Sequence, residues 1–253
     1  MHYTISGNGT AVVLIHGFAE DHGIWSIQTE LLQKKFKVLA VDLPGNKAFD
    51  PLTCGDFSME SFGVSINKIL LKENIKKCIM IGHSMGGYVA LAFAGLFPKK
   101  LIGLGLMHSS IYKDDEAKIA TREKAITLME KTGTAPFLKA TFPGLFYNLA
   151  AAEPKIAQLL LVAKKFNVST LVGYYKAMMQ RKDSTTLIQN LSVPVLFIIG
   201  KHDKIIPFKI ALRQSHLAPL SYVYILRDSA HMGMLEEGEK TALILQNFCL
   251  AMM

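Results

Sequence analysis

The chain is short of cysteine, of charge and of long apolar runs, and each shortage narrows what it can be. Its 253 residues hold three cysteines, Cys54, Cys78 and Cys249, far apart and odd in number. They form no CxxC pair and no metal-ligand spacing, so neither a disulfide framework nor a cysteine-held metal is expected. Free, mostly buried thiols in a reducing compartment are the simplest account. No stretch approaches the roughly 20 apolar residues of a membrane span. The opening "MHYTISGNGTAVVLIHG" lacks a basic leader, and its apolar run from Ala11 to Ile15 is too short for a secretion signal. A cytoplasmic protein is therefore expected. Only 19% of residues are charged against 50% hydrophobic, which predicts a large core and no long disorder. The net charge is +8, but the lysines are scattered, mostly as pairs such as Lys34-Lys35 and Lys164-Lys165. Without a dense basic run or a nucleic-acid motif, this reads as a basic solvated surface with room for a mild preference for anionic substrates.

What is present is alternation. "AVVLIHG" (11–17), "FKVLAVDLPG" (36–45), "KKCIMIGHS" (76–84), "LIGLGLMHSS" (101–110), "VPVLFIIG" (193–200) and "SYVYILRDS" (221–229) are short and almost continuously apolar. Strands buried on both faces of a parallel sheet read this way. A further strand near "HYTISG" is expected to pair antiparallel at the edge. Between the strands, "SMESFGVSINKILLKENI" sets Phe62, Ile66, Ile69 and Leu70 on one helical stripe. "MGGYVALAFAGLFP" stops at Pro98, "PFKIALRQSHLAP" opens with Pro207 in its first turn, and a last helix runs from about Glu236. Strand and helix in turn predict an α/β fold with a doubly wound, mostly parallel sheet. The alternation breaks once, over residues 111–190, where about four helical patterns follow one another. The first has acidic residues at its start, Asp114 and Asp115 among them, and ends at Gly133. The expected organisation is a core of residues 1–110 and 191–253 with a helical lid, 111–190, covering substrate at one end of the sheet. Gly133, Gly144 and Gly173 read as hinges or helix ends.

The chemistry centres on "GHSMGG" (82–87), where a strand turns sharply into a helix. A serine flanked by glycines at such a turn is exposed on a strained backbone, with the free N–H groups of the helix start behind it. A serine hydroxyl needs a base, and the base needs an orienting acid. Asp203 follows one buried strand in "FIIGKHDKIIP", and His231 follows the final strand in "LRDSAHMGMLEE". Both loops lie at carboxyl strand ends, where such a sheet gathers its site. Asp228 is too close in sequence to pair with His231 across a site, His202 shapes the Asp203 loop, and Asp114 and Asp115 fit a helix cap better. Ser84, His231 and Asp203 are thus the expected nucleophile, base and acid. The backbone N–H groups of Phe18, in "HGF", and of Met85 are the expected oxyanion donors, with His16 in a structural role.

With these motifs together, the chain resembles the α/β-hydrolases of the lidded, single-domain kind. The resemblance rests on His16-Gly17-Phe18, Gly82-His83-Ser84-Met85-Gly86-Gly87, Asp203 in "GKHDKIIP", His231 in "SAHMGMLEE", and the strand-end "VDLPG", and it spans essentially the whole chain. It departs after "DLPG", where Asn46-Lys47-Ala48 stands in place of a further glycine and serine. A serine rather than an aspartate nucleophile disfavours dehalogenases and epoxide hydrolases. The "HSMGG" elbow is similar to that of esterases and monoglyceride-lipase-like members. The resemblance implies a serine hydrolase that cleaves a small to medium carboxylic ester through an acyl-enzyme, with no metal or organic cofactor. Trp25 and, from the lid, Phe137, Phe142, Leu145, Phe146, Met178 and Met179 are candidates to line the substrate pocket. Carbon–carbon or thioester hydrolysis on the same residues, and a slow-turnover ligand receptor, are the rival readings. No arginine stands near the recognisable motifs to hold a second substrate oxygen.

Overall fold

A computed structural model describes residues 1–45 and 57–253; Asn46-Lys47-Ala48 and Cys54 lie outside them. The described residues form a seven-stranded sheet built from β1 (Tyr3–Ser6), β2 (Ala11–Ile15), β3 (Lys37–Val41), β4 (Cys78–His83), β5 (Leu101–Met107), β6 (Val195–Gly200) and β7 (Ser221–Leu226). The spatial order is β1-β3-β2-β4-β5-β6-β7. Only β1 runs antiparallel, pairing with β3 at the edge from Tyr3 opposite Val41 to Ser6 opposite Val38. Every residue of β2, β4 and β6 is buried, so their continuous apolar runs follow from helices covering both faces. The edge strand β7 is buried in full only at Leu226.

The helices of the core are α1 (Ser26–Leu32), α2 (Met59–Lys72) and α3 (Met85–Leu96). In α2, the predicted stripe of Phe62, Ile66, Ile69 and Leu70 is buried. Its start is fixed by a reciprocal pair: Ser58 accepts from the Ser61 N–H while Ser61 Oγ accepts from the Ser58 N–H. Helix α3 is apolar almost all round and lies inside the molecule.

Between β5 and β6 the described residues form α4 (Glu116–Thr132), α5 (Thr134–Thr141), α6 (Leu149–Ala163), α7 (Val168–Gln180) and the short α8 (Thr185–Gln189). Asp115 caps α4 by accepting from the Lys118 N–H, and Gly133 closes it at φ 81°. Asp114 has another role from the capping expected of it: it is buried between Arg122 and Arg181. Helix α7 is tied to the core by buried hydrogen bonds. Tyr174 Oη donates to the Pro44 carbonyl at 2.6 Å, and Thr170 Oγ1 to that of Gly45 at 3.0 Å.

Beyond β6 come α9 (Phe208–Ser215), α10 (Gly233–Glu236) and α11 (Gly238–Leu250). Pro207 stands one residue ahead of α9 with extended backbone, not inside its first turn. The final helix is broken into two at Glu237, whose carboxylate turns back to accept from the Asp228 N–H and Ser229 Oγ. Cys78 and Cys249 are free and buried, and loss of hydration pushes both thiols up to about 12. No single described helix is long and apolar enough to cross a membrane; α6 and α7 pass that test only together, bent by 104°.

Candidate active site

Ser84 sits between β4 and α3 at φ 49°, ψ −116°, a left-handed backbone that a serine adopts only when its surroundings enforce it. Here the enforcement is visible. The Ser84 N–H donates to the Met107 carbonyl at 2.9 Å, and the Ser84 carbonyl accepts from Ser109 Oγ at 2.8 Å. Both partners come from β5 and the turn after it. The side chain is thereby aimed off the sheet's carboxyl edge.

The structure brings the three expected residues into one line. Ser84 Oγ lies 2.9 Å from His231 Nε2, and His231 Nδ1 lies 2.8 Å from Asp203 Oδ2. Since a carboxylate can only accept, Nδ1 carries the proton and Nε2 is left to accept from the serine hydroxyl. The other Asp203 oxygen, Oδ1, accepts from the N–H groups of Ile205 and Ile206 at 2.8 and 2.9 Å. Burial works against the Asp203 charge, but His231 and His108 outweigh it through charge and hydrogen bonding and hold the carboxyl well below the usual carboxylate range. Asp228 is exposed and does not bond to His231. His202 stacks on Tyr147, 3.7 Å between ring centres.

The His231 backbone is clamped from two sides. Its N–H donates to the Leu145 carbonyl at 2.9 Å, and its carbonyl accepts from His83 Nε2 at 2.9 Å. His83 Nδ1 meets Glu20 Oε2 at 3.0 Å, and the same oxygen accepts from the Gly17 N–H at 2.6 Å. Both ring nitrogens of His83 face acceptors, so both carry protons. Burial opposes that charge, yet the Glu20 carboxylate raises the His83 pKa and is itself lowered by the imidazolium. His16 is the opposite case: Nδ1–H donates to the Gly17 carbonyl at 2.7 Å and Nε2 accepts from the Leu43 N–H at 2.9 Å, which fixes a neutral ring. Burial lowers its pKa accordingly. These bonds pin the "HGF" turn, and among the described residues neither the Phe18 N–H nor the Met85 N–H donates to a protein acceptor.

His108 sits just past β5, at φ 46°, behind this line. Its Nε2 accepts from the Gly233 N–H at 3.2 Å, and its Nδ1 is 3.4 Å from Asp203 Oδ2. Burial pushes it down to about 4, so the ring is neutral. Sequence reasoning passes over His108 and Glu20. The signal that could find them is position: each follows a strand's carboxyl end by only a few residues.

A cavity of about 210 Å³ opens over Ser84 and His231. Its apolar wall is Phe137, Leu138, Phe142, Leu145 and Met178 from the helical segment. Four of these are among the residues expected there. Trp25 and Phe146 are not on the wall, which corrects their expected role. Trp25 is wholly buried in the core with Ile24, on the inner side of a short turn (His22–Trp25) capped by Asp21. Phe146 follows a 3₁₀ turn (Phe142–Leu145) in which residues three apart share a face. Phe142 and Leu145 therefore point into the cavity, while Phe146, one step further, packs into the core. Met179 likewise packs against the core rather than the cavity. The expectation that no arginine stands near the site is also corrected, because α4 brings Arg122 to the wall beside Tyr88 and Tyr175.

Comparison with known proteins agrees with this fold. The family model described as the alpha/beta hydrolase fold matches residues 10–171. A pimeloyl-(acyl-carrier protein) methyl ester esterase of Vibrio cholerae is 26% identical over 94% of this chain and 94% of its own length. A monoacylglycerol lipase of Bos taurus is 24% identical over 96% of this chain and 76% of its own. The solved structure of a thermophilic esterase from Thermogutta terrifontis superposes with a TM-score of 0.92 at 25% identity, covering 99% of this chain and 93% of that one. With a family match over more than half its length, on top of this fold, the chain belongs to the α/β hydrolase family.

Proposed function

We propose that the protein is a serine hydrolase that cleaves small to medium carboxylic esters through an acyl-enzyme. The observation that carries this reading is the unbroken line from Ser84 Oγ through His231 to Asp203, at 2.9 and 2.8 Å. Ser84 Oγ bonds to the ester carbonyl carbon as its proton passes to His231 Nε2. The carbonyl π pair moves onto oxygen, where the Phe18 and Met85 N–H groups receive it. Collapse breaks the bond to the alcohol oxygen, and His231 returns its proton to that leaving group. Water then repeats the sequence on the acyl-enzyme and frees the acid. Asp203 keeps its charge throughout and balances the imidazolium. Helices α4 to α7 act as the lid, and their apolar side chains receive the acyl chain. Ester-cleaving relatives and the small, mostly apolar cavity support the same reading, and the buried free thiols support a reducing compartment.

The test is a fluorophosphonate probe together with p-nitrophenyl esters of increasing acyl length. The expected result is labelling at Ser84, with turnover strongest for short chains. Ser84→Ala is expected to lose labelling and at least about 1,000-fold in kcat while keeping its unfolding transition. Full activity in that variant would overturn the assignment.

A further inference from the structure

Arg122 is a strange residue to find on the wall of an apolar cavity. Its guanidinium is mostly removed from water, with 18% of the side chain exposed, and nothing in the ester chemistry above uses it. A charge is expensive to desolvate unless it is matched. The match is Asp114, wholly buried, which accepts from Arg122 Nε at 2.6 Å and Nη2 at 3.4 Å. Asp114, however, is shared. Arg181 Nη2 approaches Oδ1, the oxygen that Arg122 Nη2 also reaches, at 2.9 Å. One carboxylate thus faces two guanidinium groups, and one positive charge is left over. Lys118, half-buried one turn before Arg122, is faced by Asp115 as well as Asp114; burial first, then the two arginines, pull its pKa down.

The two arginines divide their labour. Arg181 is locked in the protein: Nη1 donates to the Met178 carbonyl at 2.7 Å, Nη2 to that of Tyr112 at 2.7 Å, and the guanidinium lies 3.9 Å above the Tyr88 ring. Arg122 spends only one edge on Asp114. Its Nη1 donors have no acceptor among the described residues, and neither does the Tyr88 hydroxyl on the same wall. The guanidinium is braced 5.2 Å from the Tyr175 ring, which stacks at 4.3 Å on Phe18, the residue whose N–H is the proposed oxyanion donor. A fixed, forked cation with free donors, beside a free hydroxyl, in the cavity that also holds Ser84, fits a carboxylate better than any neutral group.

We infer that the part of this cavity lined by Arg122 and Tyr88 is a carboxylate subsite, and that the preferred substrates are half-esters of dicarboxylic acids. One end, the ester, lies at Ser84, and the other, the free carboxylate, lies on Arg122 and Tyr88, with the apolar wall of the same cavity against the chain. This deepens the esterase reading and rests on it. Arg122 is here a specificity-determining residue with no part in bond making.

The test compares monomethyl succinate, glutarate and adipate with the neutral methyl esters of the same carbon count, methyl butanoate, pentanoate and hexanoate, by proton release at constant pH. At one chain length at least, the wild type is expected to favour the anionic ester in kcat/KM. In Arg122→Gln that anionic-to-neutral ratio is expected to fall about 10- to 100-fold, the range for losing a charge-assisted hydrogen bond. Arg122→Lys should restore part of it. General damage to the fold scales both esters together and leaves the ratio alone. A wild type that prefers the neutral ester at every length overturns the inference, whatever the variants do, and so does a ratio unchanged in Arg122→Gln. Calorimetric titration with adipate separates the two readings. Binding at least 10-fold weaker in Arg122→Gln supports the subsite even if no ester is cleaved and Ser84 is unlabelled, which would sink the esterase reading alone.

Discussion

Glu20 shows how much a single residue can hold. One of its oxygens accepts both the Gly17 N–H and His83 Nδ1, and His83 in turn holds the carbonyl of His231. The turn carrying one proposed oxyanion donor and the backbone of the proposed base therefore hang on one buried ion pair. Removing half of such a pair leaves a buried charge without its partner, which costs about 3–5 kcal/mol. Glu20→Gln keeps the shape and an acceptor but not the charge. His83 should then lose its extra proton, since burial alone favours the neutral ring. Because the ring gives up its charge instead of keeping it unpaired, the expected outcome is a smaller stability loss, about 1–3 kcal/mol in urea unfolding, as for a disturbed buried hydrogen bond, together with a drop in kcat larger than any change in KM. Unchanged stability would mean that the pair is not ionised as the geometry implies.

At the scale of the element, the helix α3 is seated closer to the sheet than a side chain would allow. A methyl group on Gly86 would run into the carbonyl oxygens of Ile15 and His16, which are backbone and cannot step aside. Gly86→Ala should therefore lift the first turn of α3 and carry the Met85 N–H away from that of Phe18. A loss of about 1–3 kcal/mol in stability is expected, with a fall in kcat on every ester tested. A variant within about 0.5 kcal/mol of wild type would show that the seat is looser than drawn. This close seat was legible in "GHSMGG", as the strands were in their apolar runs, because burial on both faces writes itself directly into residue type. The runs overshot the strands at His16, Asp42 and His108, since the loops at the carboxyl edge are buried as deeply as the strands. Arg122 was not legible. Of α4 only Ile126 and Met129 are buried among polar neighbours, so its sequence reads as a solvated helix. What turns Arg122 into a cavity residue is Asp114 before the helix and Tyr175 on α7, and no local pattern joins those three. Trp25 and Phe146 failed for a related reason: an aromatic residue near a site gains as much from the core as from the pocket, and only the turn geometry chooses.

Across the whole molecule, most of the buried ionisable groups among the described residues gather along one edge of the sheet, His16, Glu20, Asp42, His83, His108, Asp203 and His231, while Asp21 and the Asp114–Arg181 pair stand apart from them. The fold keeps most of its interior free of charge and concentrates the cost where the chemistry is. That concentration makes global stability depend on pH, and His108 gives the clearest case. In the unfolded chain a histidine titrates near 6.5, whereas in the fold burial pushes His108 down to about 4. Between those values the unfolded chain takes up a proton that the folded one refuses. The stabilisation is thus complete above about pH 6.5, falls as the solution is acidified, and is gone once pH passes about 4. At roughly 1.4 kcal/mol for each tenfold difference in proton affinity between the two states, the loss amounts to about 3 kcal/mol. His16, also lowered by burial, adds to the same trend. His22 and His83, raised by Asp42 and Glu20 against their own burial, oppose it: their contribution is complete at low pH and is lost as pH climbs past their raised values. A difference between two proteins isolates His108 from the rest. Asparagine accepts the left-handed backbone at this position and carries no titratable group. The expected result is that wild type exceeds His108→Asn in stability by about 3 kcal/mol more at pH 7 than at pH 4, read from urea unfolding at both. Parallel stability curves would mean that His108 accepts its proton in the fold as readily as in water.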